Sequence, residues 1–213
     1  MLHYHHSEMD ARGLCDELNA LRSDSAVLMR ADLSVNGELE QLAQAAMDTW
    51  GGVDVLVNNA SLFQSGPFGG VAEADWNGLL AANLKAPFFL SQALLPSLRQ
   101  RSGCIVNLAD IHAETGLPGY PVYSIAKAGV VAMTRCLAKE LAPGVRVNAV
   151  APGAILWPEH NAAEDRAEIL KKVALQRCGE ADDIARAVKF LIEDAGYVTG
   201  QVLNVDGGRS LFR

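Results

Sequence analysis

Positive charge is scarce in this chain: 18 Lys and Arg against 25 Asp and Glu give a net charge of −7, and no Lys/Arg run occurs. A nucleic-acid surface carries a basic stripe, so that partner class is excluded and small-molecule chemistry is favoured. Cysteine is sparse and scattered. Cys15, Cys104, Cys136 and Cys178 form no C-x-x-C pair, which removes a zinc ribbon or a redox pair and leaves thiols suited to a reducing compartment. Long hydrophobic runs are missing, and "MLHYHHSEMD" lacks the apolar stretch of a signal peptide, so the expectation is a soluble, cytoplasmic protein with no membrane partner. Glycine is plentiful, at 19, yet none of it forms G-x-G-x-x-G or G-x-x-x-G-x-G, the turns that wrap an anion at a helix N-terminus.

What is present is globular: 50% of residues are hydrophobic and 20% charged over 213 residues, enough for one core and short for two. The chain is read as a single domain, 1–213. Short apolar runs at 25–33, 53–60, 103–110, 145–153 and 201–208 alternate with longer helical patterns. Such runs fit parallel strands buried on both faces with helical crossovers between them. The expected fold is α/β, a Rossmann-like doubly wound parallel sheet.

One helical pattern, "YPVYSIAKAGVVAMTRCLAKELAPG", stops at Pro143-Gly144 and places Tyr123 and Lys127 four apart on one face. A tyrosine with its usual pKa near 10 is a poor acid–base group at neutral pH, and a lysine one turn away favours the phenolate. Asn83 lies in "LLAANLKAPFFLSQALL", four residues before Pro87. In an α-helix its carbonyl would accept from the N–H that proline lacks, and so be free to hold a water. "VNNAS" (57–61) and "VAPGAILWPE" (150–159) follow strands and belong at the carboxyl edge of the sheet, where open α/β folds bind ligands.

"NNAS", the helical Asn, "YSIAK" and "APG", in this order and spacing, resemble the short-chain dehydrogenase/reductase family across essentially the whole chain. The resemblance implies that Tyr123 is the proton donor, that Lys127 lowers its pKa and holds the nicotinamide ribose, and that the Asn83 carbonyl anchors a relay water. The family's serine about a dozen residues before the tyrosine is replaced here by Asp110. That aspartate, with "HYHHS", "NNASLF" and "VDGGRSL", resembles the pteridine reductase branch, in which aspartate and tyrosine together deliver a proton to a pterin ring nitrogen while NADPH supplies hydride. A carboxyl tuned by burial suits that task, since reducing a C=N bond takes one hydride and one proton. The aromatic residue after "NNAS", Phe63, is implied to stack on the pterin, and Trp157 to belong to a substrate lid.

The same resemblance implies that "LHYHHS" is the family's second strand and the turn after it. Its first strand, first helix and glycine-rich turn are then absent, about a few tens of residues for a βα unit. The expected consequences are an N-terminally truncated sheet with two unpaired edges in its middle, no diphosphate cradle, and a native form extending upstream. For the cofactor NADP(H), His5, His6 and Ser7 face the 2′-phosphate, no acid stands there before Glu8, and Asp32 and Leu33 meet the adenine. Asn59, Ala60 and Ser61 line the cleft, Tyr123 and Lys127 hold the nicotinamide ribose, and Pro152 and Gly153 shape the nicotinamide wall. Three histidines without a fixed fourth ligand make no metal site. The C-terminal "VDGGRSLFR" resembles that of tetrameric members, where Arg213 approaches a neighbour's site.

The leading function is NADPH-dependent reduction of a dihydropterin or dihydrofolate-like ring, a step of folate or pterin metabolism. The alternatives are a short-chain keto or 3-oxoacyl reductase and a non-catalytic truncated remnant.

Overall fold

A computed structural model describes residues 1–155 and 163–212. Among the described residues, six parallel strands fall into two sheets. β1 (Leu2–Tyr4) pairs with β2 (Leu28–Arg30), and β3 (Val55–Asn58), β4 (Cys104–Leu108), β5 (Arg146–Pro152) and β6 (Val202–Val205) follow in that spatial order. The chain belongs to the α/β Rossmann-like class. The strand–helix alternation expected from the sequence is present: α1 (Glu8–Leu21) joins β1 to β2, α2 (Asn36–Asp48) joins β2 to β3, and α4 (Ala86–Gln100) precedes β4. α6 (Pro121–Leu141) links β4 to β5, and α8 (Ala181–Glu193) leads to β6.

Burial explains why the second sheet is the firm one. All five residues of β4 are buried, as are the five central residues of β5. Ile105 and Val147 meet a cluster with Leu39, Leu42, Leu90, Leu94, Leu98 and Leu141 from α2, α4 and α6. Val106 and Val150 face the other way, onto Leu191 of α8. Each such side chain taken fully out of water contributes about 1.5–3 kcal/mol. β2 is only three residues long, shorter than the 25–33 run, because among the described residues its one partner is the three-residue β1.

α6 begins with Pro121 at its first turn, where no intrahelical donor is needed. It stops at Ala142, which is extended before Pro143 as proline requires of its predecessor. Gly129 lets the helix lie close to the neighbouring turn: a Cβ there would come 2.6 Å from Leu84.

One expectation is corrected. The helical stretch Glu73–Gln100 covers 28 residues and contains an 18-residue window of mean hydropathy 1.2, long and apolar enough by length and composition to cross a membrane. Asn83, Lys85 and Pro87 interrupt the run by eye, but α3 (Glu73–Leu80), a five-residue π-helical turn (Ala81–Lys85) and α4 are continuous. Leu79, Leu90, Leu94 and Leu98 along it are buried in the protein.

Candidate active site

The site forms where β3, β4 and β5 end. The N–H of Ala109 donates to Val150 O at 2.8 Å, and Ile111 N–H reaches Pro152 O at 3.4 Å. These bonds hold the chain leaving β4 against β5, and Asp110 sits between them. Its Oδ1 accepts the backbone N–H of His112 at 2.7 Å, the turn chemistry expected of an aspartate after a strand. Its other oxygen, Oδ2, accepts the Tyr123 hydroxyl at 2.8 Å. Thirteen residues of separation thus close into one hydrogen bond.

Tyr123 and Lys127 are both buried on α6. The Lys127 ammonium donates to Leu108 O at 2.8 Å and stands 5.7 Å from the centre of the Tyr123 ring. Burial lowers the Lys127 pKa to about 8, against which the Asp110 charge acts. The tyrosine moves opposite to the expectation that lysine depresses it. Burial, then the Asp110 charge and hydrogen bond, push the phenol above its ordinary value. A carboxylate in contact outweighs an ammonium across the ring, so Tyr123 is held protonated, as a donor.

Phe63 stacks on Tyr120, ring centres 4.5 Å apart, and meets Tyr123 edge-on at 4.9 Å. With 49% of its surface exposed, it offers an open aromatic wall beside the Asp110–Tyr123 pair. Asn83 holds this wall in place: its Oδ1 accepts Leu62 N–H at 2.7 Å and its Nδ2 donates to Leu62 O at 2.8 Å. The argument that Pro87 orphans the Asn83 carbonyl assumed an α-helix. The turn is π-helical, with Ala86 N–H bonded to Ala81 O five residues back, so the helix type around Asn83 differs from the one assumed. The structure places the buried Asn83 side chain against Leu62.

At the far end, His5 and His6 rings lie 3.7 Å apart, and His6 and Ser7 are exposed. The stretch itself holds no acid before Glu8, but an acid following β2 approaches it. Asp32 Oδ2 lies 3.8 Å from His5 Nε2, because β1 and β2 run parallel with Tyr4 opposite Arg30, bringing their carboxyl ends together. Asp32 is also held by Ser34, whose two hydrogen bonds keep its carboxyl below the usual range. Arg30 donates to His5 O at 3.3 Å, adding a guanidinium to this corner.

Leu33, Asn59 and Ala60 line a cleft between the sheets. Ser61 is exposed beside it. Pro152 closes β5 and Gly153 N–H donates to Val205 O at 3.0 Å, so both stand at the carboxyl edge with Asp110. Trp157 and Arg213 lie outside the described residues. For a dinucleotide, the two ends fit: Lys127 presents ammonium donors beyond the one given to Leu108, and His6, Ser7 and Arg30 suit an anionic group. The middle has no glycine-rich turn.

Several contributors were not singled out in the sequence. Tyr120 three residues before Tyr123 could have been found as its helix-entry neighbour. Below the site, buried Asn58 donates to Asn107 Oδ1 at 2.8 Å and Asn107 donates to Thr134 Oγ1 at 2.9 Å. Only the paired register of β3 and β4, Asn58 opposite Asn107, brings these together.

A parallel α/β sheet with a hydrogen-bonded tyrosine, a lysine one turn on and a ligand cleft at the strand ends defines a nucleotide-dependent oxidoreductase. The family profile described as enoyl-(acyl carrier protein) reductase matches residues 1–210. The chain is 38% identical over 212 residues to the 3-oxoacyl-[acyl-carrier-protein] reductase FabG of Staphylococcus epidermidis, covering 97% of this chain and 86% of that one. It is 41% identical over 207 residues to the (2S)-[(R)-hydroxy(phenyl)methyl]succinyl-CoA dehydrogenase subunit BbsD of Thauera aromatica, covering 94% and 82%. A blue fluorescent protein from a metagenomic library, solved in complex with NADPH, superposes with a TM-score of 0.89 at 36% identity, covering 97% and 85%. The chain belongs to the short-chain dehydrogenase/reductase family.

Proposed function

We propose that this protein is an NADPH-dependent reductase of a dihydropterin or dihydrofolate-like ring. The observation that carries the reading is the 2.8 Å hydrogen bond from Tyr123 to Asp110, beside the open ring of Phe63. Bound NADPH supplies the hydride, which goes to the ring carbon. The ring nitrogen takes a proton from the Asp110–Tyr123 pair, and the phenol proton, already directed at the carboxyl, replaces any that Asp110 passes on. Phe63 and Tyr120 stack against the flat substrate and keep it in register with the pair. Lys127 holds the nicotinamide ribose and, while charged, steadies the Tyr123 oxygen as its proton leaves.

The cofactor reading rests on the relative solved with NADPH and on the Arg30 guanidinium at the corner where the His5 and His6 rings lie together. The protein works in the cytoplasm and assembles as a homotetramer. The assembly reading is supported by Phe88 and Phe89, packed edge-on at 5.3 Å and each 42% exposed on α4.

A second reading, reduction of a keto or 3-oxoacyl group, is favoured by the names of the relatives, which support it better than they support pterin reduction. Against it stands Asp110: a carbonyl oxygen wants a donor at that position, and a carboxylate is an acceptor. NADPH consumption by the full chain, followed with dihydrobiopterin and separately with acetoacetyl-CoA, tests the choice. Faster consumption with the pterin is expected; faster consumption with the thioester establishes the second reading. Absence of NADPH binding leaves a non-catalytic chain.

A further inference from the structure

A cavity of about 480 Å³ opens directly after Asp110, where Ile111 and His112 enter its wall, and shares no lining residue with the cleft of Leu33, Asn59 and Ala60. Lys172 and Arg209 line it too, together with apolar Leu117 and Phe212. Three stretches distant in sequence build this pocket: α5 (His112–Thr115) and the loop after it, the residue following α7 (Ala163–Lys171), and the 3₁₀ turn Arg209–Leu211. Glycine makes the last two adjacent. A Cβ at Gly207 would come 2.8 Å from Val173 and one at Gly208 2.7 Å from Ala174, and Leu175 N–H donates to Gly207 O at 3.0 Å. Both glycines have positive φ, so a side chain there would strain the turn as well as crowd it. The near wall is tied to the reacting pair, because the His112 N–H holds one Asp110 oxygen while Tyr123 holds the other.

Charge in this pocket is unbalanced. Among the described residues, neither the Lys172 ammonium nor the Arg209 guanidinium has a hydrogen bond or an ion pair. The acids around them are committed. Asp110 accepts from His112 and Tyr123, Asp206 accepts from the N–H groups of Gly208 and Ser210, and Glu114 is not free. Glu168 pairs with Lys171, and Lys172 acts on it only at a distance. The Arg209 charge reaches into the pocket: burial lowers the His112 pKa, Asp110 opposes that, and Arg209 lowers it further. In a chain of net charge −7, two unpaired cations converging on one cavity beside the reacting carboxyl create a local positive potential there.

We propose that this pocket is a subsite for the anionic end of the substrate's side chain, a carboxylate or phosphate carried on an apolar stem. Arg209 meets the anion with its planar fork of donors, Lys172 adds a point charge, and Ile111, Leu117 and Phe212 pack the stem. The subsite rests on Asp110 and Tyr123 as the reacting pair, which both substrate readings share. A dihydrofolate-like side chain ends in carboxylates, and a coenzyme A or carrier thioester bears phosphate. A ring or ketone without a charged tail leaves both cations unused.

Two measurements on the full chain separate the subsite from the substrate reading. The first needs no turnover: glutarate, and separately inorganic phosphate, is titrated while the His112 ring resonances are followed by NMR, assigned by their loss in His112→Gln. A saturable shift is expected with at least one anion, and its affinity is expected to fall about tenfold or more when Arg209→Gln and Lys172→Gln are combined. Silent His112 resonances, or equal affinity in the double variant, overturn the proposal. The second compares KM for dihydrofolate with that for dihydrobiopterin, and KM for acetoacetyl-CoA with that for acetoacetyl-N-acetylcysteamine, which has no phosphate. Arg209→Gln is expected to raise the tailed-to-tail-free ratio about tenfold in one pair. A rise in the pterin pair identifies a carboxylate tail and a rise in the thioester pair a phosphate, whereas ratios that stay constant in both overturn the subsite. Absence of turnover with all four compounds removes the reductase reading itself, and the His112 titration then decides the anion site alone.

Discussion

The two sheets of this molecule differ in one property, completeness of pairing, and the proposed catalytic groups lie with the more fully paired one. β4 and β5 have a strand on each side and helices on both faces, and they hold Asp110, Pro152 and the acceptor for Lys127. β1 and β2 have each other and nothing further among the described residues, and they hold His5, His6 and Asp32. The proposed proton chemistry is thus mounted on the more fully paired backbone, and the residues proposed for the nucleotide's outer end on a two-stranded ribbon. A site held to a fraction of an ångström needs the first kind of support. Recognition of a phosphate by exposed side chains tolerates the second.

The sharpest way to break this comparison is Tyr123→Phe. It removes the only proton that the Asp110 carboxyl is shown to receive from a side chain, and turnover is expected to fall by about 10²–10⁴, with NADPH affinity nearly unchanged. An equal loss in affinity and turnover would mean that the tyrosine positions cofactor rather than donating a proton. Native-state hydrogen exchange sharpens the contrast between the sheets. Amides of β4 and β5 are expected to exchange only through global opening, and those of β1 and β2 on the order of tenfold or more faster through local opening. Equal rates would show the ribbon to be as firm as the main sheet.

Asn107→Ala probes the buried polar support below the site. It takes from Asn58 Nδ2 its 2.8 Å acceptor, leaving Ser91 Oγ at 3.4 Å, and takes from Thr134 Oγ1 its incoming donor, while the bond to Val130 O remains; roughly 1–3 kcal/mol of stability is expected to be lost. Denaturant unfolding reads this directly. The smallest effect is one of pH. Because Lys127 has a pKa lowered to about 8, turnover that needs its charge is expected to decline as pH rises through about 8. Stability runs the other way: from pH 8 to the unfolded lysine's range, the unfolded chain binds the proton that the folded one has lost, so this group raises stability with pH. A rate and a stability that decline together would place the titration elsewhere.

Much of the molecule was legible in residues that are local. Apolar runs located five of the strands, and Pro143-Gly144 marked the end of α6. The i, i+4 spacing put Tyr123 and Lys127 on one face, and Asp110 was found by its distance before the tyrosine. What escaped depends on long-range closure. The Asp32–His5 contact needs two strands separated by a helix to lie side by side, and the stack of Phe63 on Tyr120 needs a loop to fold over a helix start. The rise in the Tyr123 pKa was missed because sequence shows a lysine one turn away but not that a carboxylate is closer. The π-helical turn was missed because Pro87 announces a change of hydrogen bonding without saying which kind.

The central claim is that Asp110 and Tyr123 act as one proton source for a ring nitrogen. It is tested most directly by the ratio of dihydropterin-dependent to 3-oxoacyl-dependent NADPH oxidation, measured for the protein and for Asp110→Ser. The account expects that ratio to fall in the variant, with pterin turnover reduced more than keto turnover. Equal reductions, or a ratio that rises, would contradict it.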